Sequence, residues 1–270
     1  MNFVVALEAE AKPLIQALNL KKISRPCPFT FFQNHKHQLV VSGIGKISAA
    51  AATGFMLGKI HENKNPAALI NFGVCGHGTL EVGQALVANR IVDGNNLNPL
   101  YPTHLINLKL SGSELMTCEQ PVNDYQQHLA YDMEAHAFYS TASRGVPREL
   151  VQVIKVVSDN PKKPLRNFDQ SQVGRLIGSN VEKIITFAEK LDLMAEEIST
   201  EPHVSKLLNQ AQNDNHFTKT QSIQLEKLIQ HALVLGLPTK EISDCIITHS
   251  SAKEIISVLD QKLTPLRILK

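Results

Sequence analysis

Short apolar runs alternate with helix-spaced segments along most of this chain. The runs are "FVVAL" (3–7), "HQLVVSG" (37–43), "AALINFG" (67–73), "GQALVANRIVD" (83–93) and "LVQVIKVVSDNP" (150–161). They lack clean apolar–polar alternation, which predicts strands covered on both faces. Between them, "EAEAKPLIQALNL" sets Leu14, Ala17 and Leu18 at helical spacing, and "KISAAAATGFMLGKIH" predicts a small-residue helix. Strands alternating with helices predict an α/β fold in three αβα layers. The pattern changes after about residue 193. "EEISTEPHVSKLLNQAQ", "TKTQSIQLEKLIQHALVLG", "TKEISDCIITH" and "SAKEIISVLDQKL" all read as helices, with no strand between them. Thr218/Gln221 and Ser251/Glu254 have capping-box spacing, and Gly236 and Pro238 punctuate the gap between two helices. The expected organisation is an α/β domain over 1–193 and an all-α extension over 194–270.

Composition narrows the classes of function. The chain has 270 residues and 43% hydrophobic residues, enough for a sizeable core. Its net charge of +2 gives no electrostatic reason to expect nucleic acid or a membrane surface as partner. Cys27, Cys75, Cys118 and Cys245 are scattered without metal-ligand spacing, so they are read as reduced thiols of a cytoplasmic protein. The start "MNFVVALEAEAK" lacks the basic and apolar regions of a signal peptide. The histidines are scattered too, and no metal is expected.

Four places combine chemistry with a strand end or a tight turn. Glu8 and Glu10 follow the first strand; they are either solvated and favoured by a helix N-terminus, or part of a site. "SGIGK" (42–46) and "GVCGHG" (73–78) read as glycine-rich turns after strands. Such turns let backbone N–H groups approach a ligand, although tight strand–helix turns need glycine for geometry alone. "YDMEAHAFY" (131–139) reads as a helix. On a helix Asp132 and Glu134 lie about 200° apart, so they cannot share a face, and one must point away. The structural alternative is a helix start that favours both carboxylates. Ser158-Asp159 closes the last strand, where open α/β sheets bind ligands and where partial burial suits a carboxyl to act as an acid. An Asx-turn before Pro161 is the competing reading.

These stretches, in this order, resemble the purine nucleoside phosphorylase/uridine phosphorylase superfamily, and most of all its methylthioadenosine/S-adenosylhomocysteine nucleosidase branch. The matching segments are "VALEAEAKPL", "VSGIGKISAA", "INFGVCGHGTLEVGQALVANRIVD", "YDMEAHAFYSTA" and "VIKVVSDN", within residues 1–193. The extension matches nothing in that family. The resemblance implies a mixed, mostly parallel central sheet and hydrolysis of the N-glycosidic bond of an adenosine-type nucleoside by water, without a cofactor. Glu10 falls on the carboxylate that activates the water. Met133 and Glu134 fall on the ribose-binding pair, and Asp159, with Ser158 beside it, on the acid that protonates N7 of the purine. Ile44, Gly45, Gly73, Val74 and Lys155 fall on the substrate-binding turns and the strand before the acid. Residues 115–122, with Thr117 or Glu119, fall on the wall around the base. The implied partner is a small purine nucleoside, and the implied assembly a homo-oligomer, with a dimer favoured.

The chain also departs from that pattern. Asn71 stands where phosphorylases commonly carry an arginine, which removes the best bidentate partner for a phosphate and favours water. Val74 stands for a serine, His77 for a glycine and Lys155 for an arginine, and the segment between Asp93 and Asp132 is short. Two alternatives therefore stay open: a phosphorylase using Lys46 or Lys155 for phosphate, and a nucleoside-binding protein that has lost catalysis.

Overall fold

Every apolar run named above forms a strand. The computed structural model describes residues 1–24, 27–62, 67–95, 98–107, 109–122, 124–164, 169–198 and 201–268. They fall into two units, Met1–Glu197 and Ile198–Lys270. In chain order the first unit runs β1 (Asn2–Val5), α1 (Glu8–Leu18), β2 (Lys21–Lys22), β3 (Thr30–Gln33), β4 (Gln38–Val41) and α2 (Lys46–Glu62). It continues with β5 (Leu69–His77), β6 (Ala85–Asp93), β7 (Ser111–Thr117), β8 (Leu129–Asp132), α3 (Ala135–Ala142), β9 (Val151–Asp159) and α4 (Gln170–Gly178). Helix α5 (Val181–Ile198) ends the unit, and the expected boundary at 193/194 lies inside it.

The strands form one 9-stranded mixed sheet in the order β2-β3-β4-β1-β5-β8-β7-β6-β9. Strand β5 pairs with β9 as well as with β8, so β5, β8, β7, β6 and β9 close on themselves. Helices line the sides of the sheet, because successive strand residues point to opposite faces and both faces are apolar. Phe3, Val5, Ile70, Phe72, Ile154 and Val156 share a core with α1, α4 and α5. Their neighbours Val4, Leu69, Val153 and Val157 share the other core with α2 and α3. This two-sided burial is why the runs lacked alternation.

Two sequence expectations are corrected. "GVCGHG" is not a turn after a strand: β5 runs on through Gly73 and Gly76 to His77. "YDMEAHAFY" is not one helix either. Its first two residues end β8, and α3 begins only at Ala135. The helical angle between Asp132 and Glu134 therefore does not apply, and both residues line the same cavity.

The second unit is built from α6 (Glu201–Asp214), α7 (Lys219–Val234), α8 (Thr239–Thr248) and α9 (Ala252–Ile268). Val204, Leu207, Leu225, Ile229, Ile242, Ile255 and Leu259 fill its core. Thr218 caps α7 as its spacing predicts. Its Oγ1 accepts from the Gln221 N–H at 3.3 Å, and Gln221 Oε1 accepts from the Thr218 N–H at 3.0 Å. Ser251 Oγ likewise accepts from the Glu254 N–H at 3.3 Å. Among the described residues no helix is long and apolar enough to cross a membrane.

Candidate active site

Chain segments from several strand ends meet at one cavity of about 160 Å³. Glu10 enters from the first turn of α1, and Ile44 from the link between β4 and α2. Val74, Cys75 and Gly76 come from β5, Met133 and Glu134 from the link between β8 and α3, and Ser158 and Asp159 from the end of β9. Cys118, Gln120, Pro121 and Val122, just after β7, complete the wall with Tyr131 and Asp132. The carboxyl ends of strands are where α/β sheets place ligands, because the backbone there diverges and leaves a crevice.

Glu10 is held as an acceptor. Its Oε2 accepts from the N–H groups of Ala6 at 3.0 Å and Leu7 at 2.9 Å, and its Oε1 from that of Val74 at 2.9 Å. Oε1 keeps acceptor capacity for one further hydrogen. Gly73 makes this approach possible: a Cβ there would lie 2.7 Å from Oε1. Burial pushes the Glu10 carboxyl up, opposed by the charge of Lys155 and by the three N–H donors. A carboxylate raised in this way, yet locked as an acceptor, is a stronger base than a solvated one.

Glu134 faces the opposite glycine turn. Its Oε1 accepts from the Gly45 N–H at 2.8 Å, and Gly45 takes φ +98°, in the left-handed region that favours glycine. Burial, and then the charge of Asp132, push Glu134 up to about 7. Behind the wall lies Lys155, 1% exposed. Its Nζ sits 2.9 Å from Asp132 Oδ2. Burial alone would lower this ammonium, but Asp132, Glu134 and Glu10 outweigh it and hold it above its ordinary value. One cation thus serves three neighbouring carboxylates, so burial is only partly offset and both Glu134 and Glu10 stay pushed toward neutrality. Asp132 is fixed further by Thr117 Oγ1 at 2.8 Å and by the Ala135 N–H at 2.9 Å, the start of α3.

Asp159 is 6% exposed and accepts two hydroxyl protons. Ser158 Oγ donates to Oδ1, and Tyr125 donates to Oδ2.

The structure brings Glu10, Ile44, Val74, Met133, Glu134, Ser158 and Asp159 onto one wall. Gly45 and Gly73 lie one layer back, each against a carboxylate of the wall. Lys155 is also behind it, tied to Asp132. Thr117 binds Asp132 and Glu119 pairs with Lys46, while their neighbours Gln120, Pro121 and Val122 face the cavity. Asn71 is buried, and its Nδ2 donates to the Val4 carbonyl at 3.0 Å. Sequence reasoning did not find Tyr125. A lone tyrosine in an irregular stretch carries no periodic signal, and its partner lies 34 residues away.

The sequence matches no protein-family model and no curated protein. Solved structures do resemble it. The 5′-methylthioadenosine/S-adenosylhomocysteine nucleosidase of Helicobacter pylori, in complex with butyl-thio-DADMe-Immucillin-A, is 14% identical with a TM-score of 0.57; the match covers 70% of this chain and 97% of that one. The corresponding enzyme of Campylobacter jejuni is 20% identical with a TM-score of 0.56, over 70% and 98%. The 5′-methylthioadenosine nucleosidase of Arabidopsis thaliana, in apo form, is 18% identical with a TM-score of 0.54, over 74% and 97%. The structural neighbours are consistently of this kind, and the chain carries the fold of the methylthioadenosine/S-adenosylhomocysteine nucleosidases.

Proposed function

We propose that this protein is a purine nucleosidase that cleaves the N-glycosidic bond of an adenosine-type nucleoside, of the methylthioadenosine or S-adenosylhomocysteine class, with water. The observation that carries the reading is the meeting of Glu10, Glu134 and Asp159 at one cavity within a nucleosidase fold. A mutant of the Helicobacter pylori enzyme holds 5′-methylthioadenosine in its active site, which supports the same ligand class here.

The chemistry needs three services. The purine leaves poorly as an anion, so Asp159 in its protonated form gives its proton to N7 as the bond breaks. The sugar becomes oxocarbenium-like, as in glycoside hydrolysis. Ionised Glu134 accepts hydrogen bonds from the ribose hydroxyls and favours the developing positive charge, while Met133 packs on the sugar. Glu10 takes a proton from the water that attacks the anomeric carbon. Ile44, Val74 and Ser158 shape the remaining wall. Gly45, Gly73 and Lys155 act on the ligand only through the carboxylates they contact.

Water is favoured over phosphate by charge. Among the described residues lining the cavity none is cationic. Lys46 is engaged by Asp93 at 3.0 Å and by Glu119 at 2.5 Å, and Lys155 by Asp132. A phosphate dianion would meet carboxylates without a free guanidinium or ammonium. The same reading makes the protein a cytoplasmic homo-oligomer, a dimer, with a three-layer αβα catalytic domain over 1–193 and a helical extension over 194–270. It requires no cofactor, nucleic acid or membrane.

The test is a panel of methylthioadenosine, S-adenosylhomocysteine, deoxyadenosine and inosine in phosphate-free buffer. Free base from the adenosine types is expected. Strict phosphate dependence with a ribose-1-phosphate product would make the protein a phosphorylase. Calorimetric binding without turnover would make it a nucleoside-binding protein.

A further inference from the structure

The segment that carries Tyr125 is seated at Gly76, in β5, and at Gly78, just after it, two positions that tolerate no side chain. At Gly76 a Cβ would lie 2.6 Å from Tyr125 Cε1 and 2.8 Å from Asp159 Oδ2. At Gly78 a Cβ would lie 1.9 Å from the carbonyl oxygen of Gln126. The Tyr125 ring meets the Tyr131 ring edge-on, with centroids 6.0 Å apart, and Tyr131 Oη accepts from the Gln126 N–H at 3.1 Å. Tyr131, Gly76 and Asp159 line the cavity, but Tyr125 does not. Its hydroxyl donates to Oδ2 of Asp159, and that oxygen keeps a second lone pair.

We infer that Tyr125 is a positioning residue for the leaving-group acid: seated over Gly76 and Gly78, it fixes Asp159 through Oδ2 and stabilises the carboxylate left when the proton departs. The inference rests on the nucleosidase reading. In the step concerned, the Asp159 proton moves to N7 while the C–N bond breaks and its electron pair goes to the base. Water forms the new C–O bond and loses its proton to Glu10. A hydroxyl donates more strongly to a carboxylate than to a carboxylic acid, so the Tyr125 contact strengthens as the proton leaves. Interactions that grow along the reaction lower its barrier. Tyr125 keeps its own proton throughout, because burial, the hydrogen bond to Asp159 and the charge of Asp159 all raise it. Cys75 on β5 is held as a thiol by burial, and Asp132 and Lys155 are tied to each other.

Tyr125→Phe keeps the ring over Gly76 and removes only the hydroxyl. Loss of one charge-assisted hydrogen bond of this kind predicts a fall in kcat of about tenfold on methylthioadenosine, with KM little changed. On 4-nitrophenyl riboside, whose phenolate leaves without protonation, the variant is expected to match wild type. Equal losses on both substrates, or no loss on either, would overturn the role. A second readout does not depend on turnover: ultraviolet titration of the tyrosines in wild type and in Asp159→Asn. One tyrosine is expected to titrate late in wild type and to return toward its ordinary value in the variant. Identical titrations would overturn the pairing itself. A late tyrosine in a wild type that releases no base from any nucleoside would instead reject the nucleosidase reading, and the catalytic role with it, while confirming the contact.

Discussion

The two units of this chain place polar groups by opposite rules. In the unit ending at Glu197, Glu10, Asp132, Glu134, Lys155 and Asp159 are all less than a tenth exposed. In the helical unit no polar side chain is fully buried among the described residues, and the core is aliphatic apart from Cys245. Burying a charge costs several kcal/mol unless it is paired, and even a paired one often contributes less than a hydrophobic residue of the same size. The helical core follows the rules for stability alone. The α/β unit departs from them, and its buried charged side chains gather around the cavity; such local departures are where a fold serves function.

Substitutions in the two units should therefore behave differently. Asp159→Asn removes the transferable proton, and base release is expected to fall by ~10²–10⁴-fold, measured as kcat, with the far-ultraviolet spectrum unchanged. Lys155→Met leaves Asp132 without its cation, and urea unfolding should show a loss of about 3–5 kcal/mol. An unchanged midpoint would mean that the pair is not buried as described. In the helical unit, Leu259→Ala should cost about 2–4 kcal/mol through the cavity it leaves, with no dependence on pH. The smallest effect is a slope. Glu134 holds a proton in the folded state up to about 7, whereas its ordinary value is 4.5. Across that window the folded state binds more protons than the unfolded one, so stability falls as pH rises from 4.5 to about 7 and then levels off. Glu10, also raised, adds to the same trend. In Glu134→Gln the urea midpoints at about pH 5 and about pH 8 should lie closer together than in wild type. An equal gap would assign the slope to other groups.

Much of the α/β unit was legible because its strands are buried on both faces and β-branched, and because Pro161 marks the end of the last run. The helices of the second unit were legible from apolar spacing and from the Thr218/Gln221 cap, which is local chemistry. The misread places share a different cause. Gly73 and Gly76 look like turn glycines in sequence, but they are strand glycines whose missing side chains admit Glu10, Asp159 and Tyr125. The stretch 131–139 has helical spacing over its second half, which hid the change from β8 to α3 between Asp132 and Ala135. Lys155 looked like a ligand contact because strand periodicity does not reveal that Asp132 would claim it. Tyr125 could be found only in three dimensions.

The role of the three carboxylates is decided by incubating wild type and Asp159→Asn with methylthioadenosine in phosphate-free buffer and measuring free adenine over time. Wild type is expected to release adenine steadily, undiminished by the absence of phosphate, and the variant to show a deep loss. Release that is equal in the two proteins, or absent from wild type, would contradict that role.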